Sequence, residues 1–422
     1  MRFLSVLRVP HGKTCEICRA ALSHLHLQNG RSLSSSTFVP SFGIAFDIDG
    51  VILRGRTPIG GSPVALRRLY SDCGALKIPF LFLTNGGGIP EARRAYELGK
   101  LLEVIIKPLQ DQVLGKILAK GPKVGRLFPL HFSIPSCISL ACTTVNNKGE
   151  VVQGHSPFKD LVNRFENELI IATGKGEPAA VMSEYGFKKV LSIDEYASYF
   201  NDIDPLAQHK TWGSKQAFDT KAMHPRFNVF SEEVQAAFVV SDPVDWGRDI
   251  QVLCDILRSG GLPGRKNGGH QPSLFFAADD LEYQASFPSE RLGMGAFRIA
   301  LESIFNRIHH DTLKYTSFGK PNPSVFKNAE GILKELWSIC YADHHIVKDR
   351  DTINHPFKTI YMIGDNPSVD IKGARKAGHP WFSILTRTGV FKGKENDSHF
   401  PADVVVDTVE EAVDYILRKE AA

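Results

Sequence analysis

Residues 46–51 read Phe-Asp-Ile-Asp-Gly-Val and close an apolar run that begins near residue 43. Asp47 and Asp49 stand two positions apart, so on an extended segment their side chains point to the same side. Two carboxylates this close repel each other unless a cation or a proton lies between them. Gly50 allows the backbone to turn sharply and to approach a ligand closely. The hexapeptide is compatible with a surface turn, but it has the layout of a strand end that carries a magnesium-assisted phosphoryl-transfer site.

Two other apolar segments also end in polar groups. Residues 80–86 read Phe-Leu-Phe-Leu-Thr-Asn-Gly, and residues 359–365 read Thr-Ile-Tyr-Met-Ile-Gly-Asp. Asp370 follows the second segment by five positions, and Lys320 lies in the turn Phe-Gly-Lys-Pro at residues 318–321. Parallel sheets bind ligands at the carboxyl ends of their strands. We therefore expect these groups to meet at one sheet edge.

The order Asp-x-Asp-Gly, Thr-Asn-Gly, Lys-Pro and Gly-Asp-x-x-x-x-Asp resembles the haloacid dehalogenase-like hydrolase superfamily. Residues 47–55, Asp-Ile-Asp-Gly-Val-Ile-Leu-Arg-Gly, are similar to a mitochondrial branch with a class IIA cap, the subgroup of cat eye syndrome critical region protein 5. Residues 242–246, 293–298 and 364–367 also match that branch. The resemblance extends from about residue 42 to the C-terminus, with one interruption.

Strand and helix patterns alternate along the chain. The predicted strands at residues 43–48 and 80–83 are followed by predicted helices at residues 63–71 and 91–102. This alternation predicts an α/β fold with a doubly wound, parallel, Rossmann-like core sheet. A second alternating run, from about residue 158, predicts an inserted α/β domain. The resemblance implies that this insertion is a cap domain over the catalytic edge.

The patterns divide the chain into a leader, a core in two parts and a cap. The predicted bounds are residues 42–110 for the first part of the core, 111–287 for the cap and 288–422 for the second part. The cap range contains residues 121–150, whose three prolines and lack of periodicity predict a disordered insertion. That segment is either a lineage-specific loop or translated intron sequence.

The leader comprises residues 1–41 and differs in composition from the rest. It is basic and contains serine, and Glu16 is the one acid before Asp47. This composition is typical of a mitochondrial transit peptide, and a disordered cytosolic tail is the alternative. Cys15 and Cys18 form a Cys-x-x-Cys pair in this region, but no second pair follows to complete a zinc site.

The composition also limits the partners. The formal net charge is +4, and no basic stripe with interleaved aromatic residues occurs, so we expect no nucleic-acid partner. No uninterrupted apolar run reaches about eighteen residues, so we expect no transmembrane segment. The seven cysteines have no spacing that predicts a disulfide framework.

The resemblance assigns catalytic roles to three residues. Asp47 is the nucleophile, since a carboxylate can accept a phosphoryl group and form an aspartyl-phosphate that water then hydrolyses. Asp49 is the general acid and base, a role worth roughly 10²–10⁴-fold in rate. Lys320 adds positive charge beside the phosphoryl group and restrains Asp47.

The resemblance further implies Mg²⁺ as cofactor and a phosphate-binding loop. The expected metal ligands are the side chains of Asp47 and Asp365 and the backbone carbonyl of Asp49. Asp370 is expected to hold a metal-bound water or to orient its neighbours. The groups expected to bind the phosphoryl oxygens are Thr84, Asn85 and Gly86.

The predicted function is Mg²⁺-dependent hydrolysis of a phosphate monoester, a small phosphorylated metabolite, in the mitochondrial matrix. Alternatives are a weak or inactive member that serves binding or assembly, and a phosphotransferase. The resemblance also allows a homo-oligomer formed through the cap. Sugar phosphates, nucleotides and glycerophospholipid-related phosphates all stay open as substrates.

Two cap segments depart from familiar motifs. Where many relatives have Asn-Pro-Asp near the end of the cap, residues 277–280 read Ala-Ala-Asp-Asp, which leaves the substrate contacts there open. Residues 173–176, Thr-Gly-Lys-Gly, lack the full spacing of a nucleotide phosphate loop and predict a tight turn between a strand and a helix.

Overall fold

The computed structural model describes residues 39–72, 74–106, 151–210, 225–265, 269–341 and 356–421. Almost all of the predicted leader and the whole of segment 121–150 lie outside these ranges, and so does the Cys15–Cys18 pair. The strands are β1 Phe42–Phe46, β2 Leu53–Arg54, β3 Thr57–Pro58, β4 Phe80–Leu83, β5 Val151–Val152, β6 Leu169–Thr173, β7 Lys189–Ser192, β8 Ala236–Val239, β9 Ser273–Phe276, β10 Glu282–Tyr283, β11 Arg291–Leu292, β12 Thr316–Ser317, β13 Thr359–Gly364, β14 Trp381–Thr386 and β15 Val404–Val406.

Helices alternate with these strands along most of the chain. The α-helices are α1 Ser62–Arg67, α2 Glu91–Leu102, α3 Val162–Phe165, α4 Pro178–Tyr185, α5 Ile193–Ser198, α6 Trp246–Arg258, α7 Met294–Ile308, α8 Pro323–Tyr341, α9 Lys372–Ala377 and α10 Val409–Ala421. Short 3₁₀ segments occur at Ser156–Leu161 and Ala207–His209, and a π-helical turn at Pro367–Ile371. Among the described residues, no helix combines the length and the apolar character needed to cross a bilayer.

The core sheet has six parallel strands in the order β15-β14-β13-β1-β4-β5. The first strand, β1, lies between β13 and β4, and Phe46 at its end pairs with Ile363 and Phe82. Both faces of β1 are buried because helices cover the sheet. The carboxyl ends of β1, β4 and β13 therefore meet at one edge, which confirms the predicted doubly wound core.

The cap sheet has five parallel strands in the order β12-β9-β8-β6-β7. Phe238 of β8 lies at the centre of its hydrophobic core and is fully buried. Four aromatic rings surround it, with centroids 5.0–6.1 Å away: Phe158, Phe165, Phe187 and Phe275. An α/β cap with its own core is thus present, as predicted.

We expect Phe238→Ala to lower the free energy of unfolding by about 3–5 kcal/mol, because the change removes a buried ring and leaves a cavity among four others. Urea denaturation followed by circular dichroism measures the loss. The matched control is Phe287→Ala, since Phe287 is 58% exposed, and its effect should stay within about 0.5 kcal/mol. Equal effects of the two substitutions would contradict the central place of Phe238.

Three elements pack with the sheet of the other domain, not with the sheet of the domain in which the sequence analysis placed them. Helix α7 was expected in the second part of the core, but its Phe297, Leu301 and Phe305 pack in the same cluster as Phe238. Strand β12 pairs with β9 of the cap sheet, and β5 pairs with β4 of the core sheet. An amphipathic pattern reveals a helix but not which sheet covers its apolar face. The bounds of the domains themselves stay a prediction.

Candidate active site

Three carboxylates converge at the edge where β1 and β13 end. The backbone N–H of Asp47 donates to the carbonyl oxygen of Ile363 at 2.9 Å, so the pairing of β1 with β13 continues to the first acid. Carboxylate oxygens of Asp47, Asp365 and Asp370 lie within 4.8 Å of one another, and all three residues are buried. Gly50 has φ 89°, and a Cβ built on it would lie 2.4 Å from Oδ2 of Asp365. The turn after β1 therefore needs glycine for its conformation and for the approach of Asp365.

Lys320 places an ammonium group inside this carboxylate cluster. The residue is 1% exposed, and its Nζ lies 2.7 Å from Oδ1 of Asp47 and 2.6 Å from Oδ1 of Asp370. The side chain of Asn85 holds the lysine backbone: its Oδ1 accepts from the Lys320 N–H at 2.8 Å, and its Nδ2 donates to the Lys320 carbonyl at 2.9 Å. The side-chain amide of Asn85 thus positions the backbone of Lys320, so the Asn85 side chain is already engaged.

The charges in the cluster do not balance. Burial raises the pKa of Asp47 to about 7, although Lys320 opposes the shift. Burial and repulsion from Asp47 and Asp370 raise the pKa of Asp365 well above its usual value. Burial acts to lower the pKa of Lys320, but its two carboxylate partners raise it, so the lysine stays charged. Three carboxylates against one ammonium leave an excess of negative charge that suits a divalent cation with oxygen ligands.

The end of β4 supplies hydrogen-bond donors beside the cluster. Thr84 is 4% exposed, and its Oγ1 accepts from the Gly86 N–H at 3.0 Å, so the hydroxyl proton stays available to a ligand. Gly86 packs near Asp49, since a Cβ on it would lie 3.2 Å from Oδ2 of that acid. One cavity brings together all the predicted site residues, namely Asp47, Asp49, Thr84, Asn85, Gly86, Lys320, Asp365 and Asp370.

Comparisons with known proteins agree with this geometry. A family model described as haloacid dehalogenase-like hydrolase matches residues 44–117, and one described as HAD-hydrolase-like matches residues 317–412. A mitochondrial hydrolase of Saccharomyces cerevisiae is 28% identical over 390 residues, which cover 89% of this chain and 96% of the yeast protein. The chain belongs to the haloacid dehalogenase-like hydrolases.

Two further matches show how far the likeness to other hydrolases of this family extends. A fusion of a CMP-forming cardiolipin synthase with a mitochondrial hydrolase in Schizosaccharomyces pombe is 30% identical over 382 residues. That match covers 89% of this chain but 53% of the fusion protein. The structure of a possible sugar phosphatase of the same superfamily from Cytophaga hutchinsonii has a TM-score of 0.53 at 14% identity, covering 89% of this chain and 96% of that one. This structural likeness concerns the fold.

The cavity of this hydrolase also contains acids that the sequence analysis did not assign. Asp280 lines it, and Oδ1 of Asp280 accepts from Nδ2 of Asn85 at 2.6 Å. Burial raises the pKa of Asp280 to about 8, partly opposed by Lys320. The acid occupies the Ala-Ala-Asp-Asp segment, so the last position of the expected Asn-Pro-Asp motif is an aspartate after all. This partial match to the motif is the feature of the sequence that could have identified Asp280 as a site residue.

The cap contributes a lysine to the same cavity. Nζ of Lys175 lies 2.7 Å from Oδ2 of Asp242 and 5.4 Å from the centre of the Tyr283 ring. All three residues line the cavity together with Asp49. Burial raises the pKa of Asp49, while the charges of Arg94 and Lys175 oppose the shift. Residues 173–176 form the predicted turn between β6 and α4, but nothing in their spacing indicated that Lys175 reaches the site.

Proposed function

We propose that this hydrolase is a Mg²⁺-dependent phosphatase that acts through an aspartyl-phosphate on Asp47. The observation that carries the proposal is the convergence of Lys320 and three buried acids beside the hydroxyl of Thr84. Lys320 holds Oδ1 of Asp47 and thereby fixes the orientation of the attacking carboxylate. Positioning and electrostatic stabilisation of this kind account for most of the catalysis in phosphoryl transfer.

Asp370 uses both of its carboxylate oxygens in hydrogen bonds, whereas Asp47 uses Oδ1 towards Lys320 and Asp365 uses Oδ2 towards the Val390 N–H. Oδ1 of Asp370 accepts from Lys320, and its Oδ2 accepts from the Asn366 N–H at 3.1 Å. We infer that Asp47 and Asp365 hold Mg²⁺ with their side chains, together with the backbone carbonyl of Asp49. Asp370 then orients its neighbours. When bound, Mg²⁺ supplies positive charge that lets an anionic phosphate approach a carboxylate.

The residues can carry out both halves of a hydrolysis. The carboxylate of Asp47 attacks phosphorus while the hydroxyl of Thr84 and the backbone around Gly86 bind the phosphoryl oxygens. Asp49 gives its proton to the leaving alkoxide, and the raised pKa of Asp49 favours its holding that proton. The ionised Asp49 then takes a proton from water, which attacks the aspartyl-phosphate and releases inorganic phosphate with Asp47 restored.

We infer a mitochondrial location, in the matrix, and a small phosphorylated metabolite as substrate. Both curated relatives named above are described as mitochondrial hydrolases or contain one, and the basic, serine-containing leader is in keeping with import. The fusion relative joins its hydrolase to a cardiolipin synthase. This link supports glycerophospholipid-related phosphates as the first substrates to test.

We expect removal of divalent cations with EDTA to lower hydrolysis of p-nitrophenyl phosphate at least about 100-fold, because the carboxylate cluster then repels the phosphate. Mg²⁺ should restore the rate.

Asp365→Asn should raise the Mg²⁺ concentration for half-maximal activity at least about tenfold. The control is Asp407→Asn, an acid that is 66% exposed and paired with Arg387. Full activity of the unaltered chain in EDTA would exclude the metal-dependent mechanism. If the chain hydrolysed none of a broad panel of phosphate monoesters, the result would favour a binding protein.

A further inference from the structure

One segment lies directly against the residues that are proposed to bind phosphate. We call Thr84–Gly88 the phosphate loop and Val152–Ser156 the supporting segment. The N–H of Thr84 donates to the Val152 carbonyl at 3.1 Å. A Cβ on Gly154 would lie 2.8 Å from the carbonyl oxygen of Asn85. The two segments therefore touch at the start of the loop, with no room for a side chain between them.

The contact continues along the rest of the phosphate loop. A Cβ on Gly87 would lie 2.5 Å from Cδ2 of His155, so the imidazole edge packs on the loop backbone. Just beyond the loop, Nε2 of Gln153 donates to the carbonyl oxygen of Ile89 at 2.8 Å. The supporting segment thus follows the loop without lining the cavity, and a shift of one segment requires a shift of the other.

A buried carboxylate anchors the supporting segment. Glu91, the first residue of α2, is 4% exposed. Its Oε1 accepts from Oγ of Ser156 at 2.9 Å, from the hydroxyl of Tyr185 at 2.6 Å and from Nζ of Lys159 at 3.1 Å. Burial acts to raise the pKa of Glu91, but the partners around the carboxylate outweigh it and lower that pKa. The ionised carboxylate also lies at a helix N-terminus, where negative charge is favoured.

His155 continues the chain of hydrogen bonds towards the loop. Its side chain is fully buried, and Nδ1 lies 2.6 Å from the hydroxyl of Tyr185. Burial raises the pKa of Tyr185 well above its usual value, so the hydroxyl keeps its one proton and gives it to Glu91. Nδ1 of His155 must then be the donor to that hydroxyl. Burial lowers the pKa of His155 to about 4, so the ring is neutral at pH 7.

We propose that Glu91, Tyr185, His155 and Ser156 form a positioning network that holds the phosphate loop in its phosphate-binding shape. None of the four lines the cavity, so they act through the loop and not on the substrate. The network joins α2, beside the core sheet, to α4, which flanks the cap sheet, and thereby couples loop shape to the placement of the cap. The proposal rests on the phosphatase function proposed above, because that function makes phosphate the ligand of the loop.

The decisive variant is Tyr185→Phe, which removes one oxygen and breaks the hydrogen bonds to Glu91 and His155 while keeping the ring. The matched control is Tyr199→Phe, since the hydroxyl of Tyr199 bonds Oε1 of Glu195 at 2.9 Å within the cap. Binding of inorganic phosphate in the presence of Mg²⁺ is measured by isothermal titration calorimetry on the full chain. We expect the Kd of Tyr185→Phe to rise about tenfold and that of the control to stay within about twofold.

A second readout separates positioning from general stability. Hydrogen exchange of residues 84–88 is followed without phosphate, below the melting transition of each variant. We expect faster exchange in Tyr185→Phe and unchanged exchange in Tyr199→Phe, because the first loosens the loop and the second does not. Ser156→Ala removes the hydrogen bonds of that hydroxyl to Glu91 and to the Gln153 N–H. We expect faster exchange of residues 84–88 and a Kd for phosphate about threefold higher. This variant tests the network if Tyr185→Phe does not fold.

The two proposals can fail separately. If the unaltered chain binds no phosphate, the phosphatase proposal is contradicted, and the exchange data alone then decide whether the network holds the loop. If the chain binds phosphate but Tyr185→Phe and Ser156→Ala match the Tyr199→Phe control in both Kd and exchange, the positioning network is overturned while the phosphatase proposal stands.

Discussion

Asp47→Asn should lower the kcat for any phosphate monoester that the chain hydrolyses by on the order of 10⁴-fold or more. The amide that replaces the carboxylate cannot attack phosphorus, and no aspartyl-phosphate can form. The change also removes one of the side chains inferred to hold Mg²⁺. Steady-state rates with p-nitrophenyl phosphate and with a panel of phosphorylated metabolites measure the effect.

The substitution should leave the protein folded, which makes the result easy to interpret. The amide keeps an oxygen that can accept from Nζ of Lys320, now 2.7 Å from Oδ1 of Asp47. It also removes one of three like charges, each of which burial disfavours. Thermal unfolding should therefore show an unchanged or higher Tm, and Asp407→Asn serves as the control with full activity. Turnover by Asp47→Asn at the rate of the unaltered chain would refute the nucleophile assignment.

The sequence predicted the catalytic edge well because of how parallel strands align. Each apolar strand ends directly before its polar group, as with Asp47 after β1 and Thr84 after β4, so the strand pattern alone predicts where these groups lie. The predicted bounds of β4 and α2 match those of the structure. Lys320 follows no such strand end of the core sheet. Its place depends on Asn85, a contact between residues far apart in the chain that no local pattern encodes.

The sequence predicted the cap side of the cavity less well, for two physical reasons. The contacts of Lys175 with Asp242 and Tyr283 depend on how the turn after β6, the segment after β8 and strand β10 pack together, which residue spacing does not determine. The glycine-rich turn of Lys175 matches an ordinary strand-to-helix connection. Helix α8 was overlooked although Val325, Phe326, Ala329, Ile332 and Leu333 repeat at helical spacing and are buried. The helical spacing of these apolar residues can therefore be read from the sequence.

Lys320→Met should strongly reduce both stability and turnover. The ammonium is buried between Asp47 and Asp370, and its removal leaves the carboxylates of the cluster without a cation. Breaking a buried pair by removing one partner costs about 3–5 kcal/mol. We expect the free energy of unfolding without Mg²⁺ to fall by that amount, and kcat with Mg²⁺ to fall by on the order of 10³-fold because charge beside the phosphoryl group is lost.

The loss of stability should depend on Mg²⁺ and on pH in directions that identify its cause. A folded state gains roughly 2.7 kcal/mol from a ligand present at about 100 times its Kd. Without the ammonium the acids have more uncompensated negative charge, so the variant should gain more stability from Mg²⁺ than the unaltered chain does. Burial already raises the pKa of Asp47 in the folded state, and Lys320 is the largest influence against that rise. Without the lysine the folded protein holds protons on these acids more strongly than the unfolded chain does. The stability of the variant should therefore increase as the pH falls from about 8 to about 5.

Urea denaturation at both pH values, with and without Mg²⁺, separates this electrostatic cause from simple loss of packing. A packing defect would cost the same at each pH, and the variant would then gain no more stability from Mg²⁺ than the unaltered chain does. The control is Lys188→Met, because Lys188 is 61% exposed and its pair with Glu166 lies at the surface, where an ion pair contributes at most about 1 kcal/mol. A loss in Lys320→Met that is small and independent of pH would mean that the three acids are not held together by this lysine, and the charge argument for a divalent cation would lose its basis.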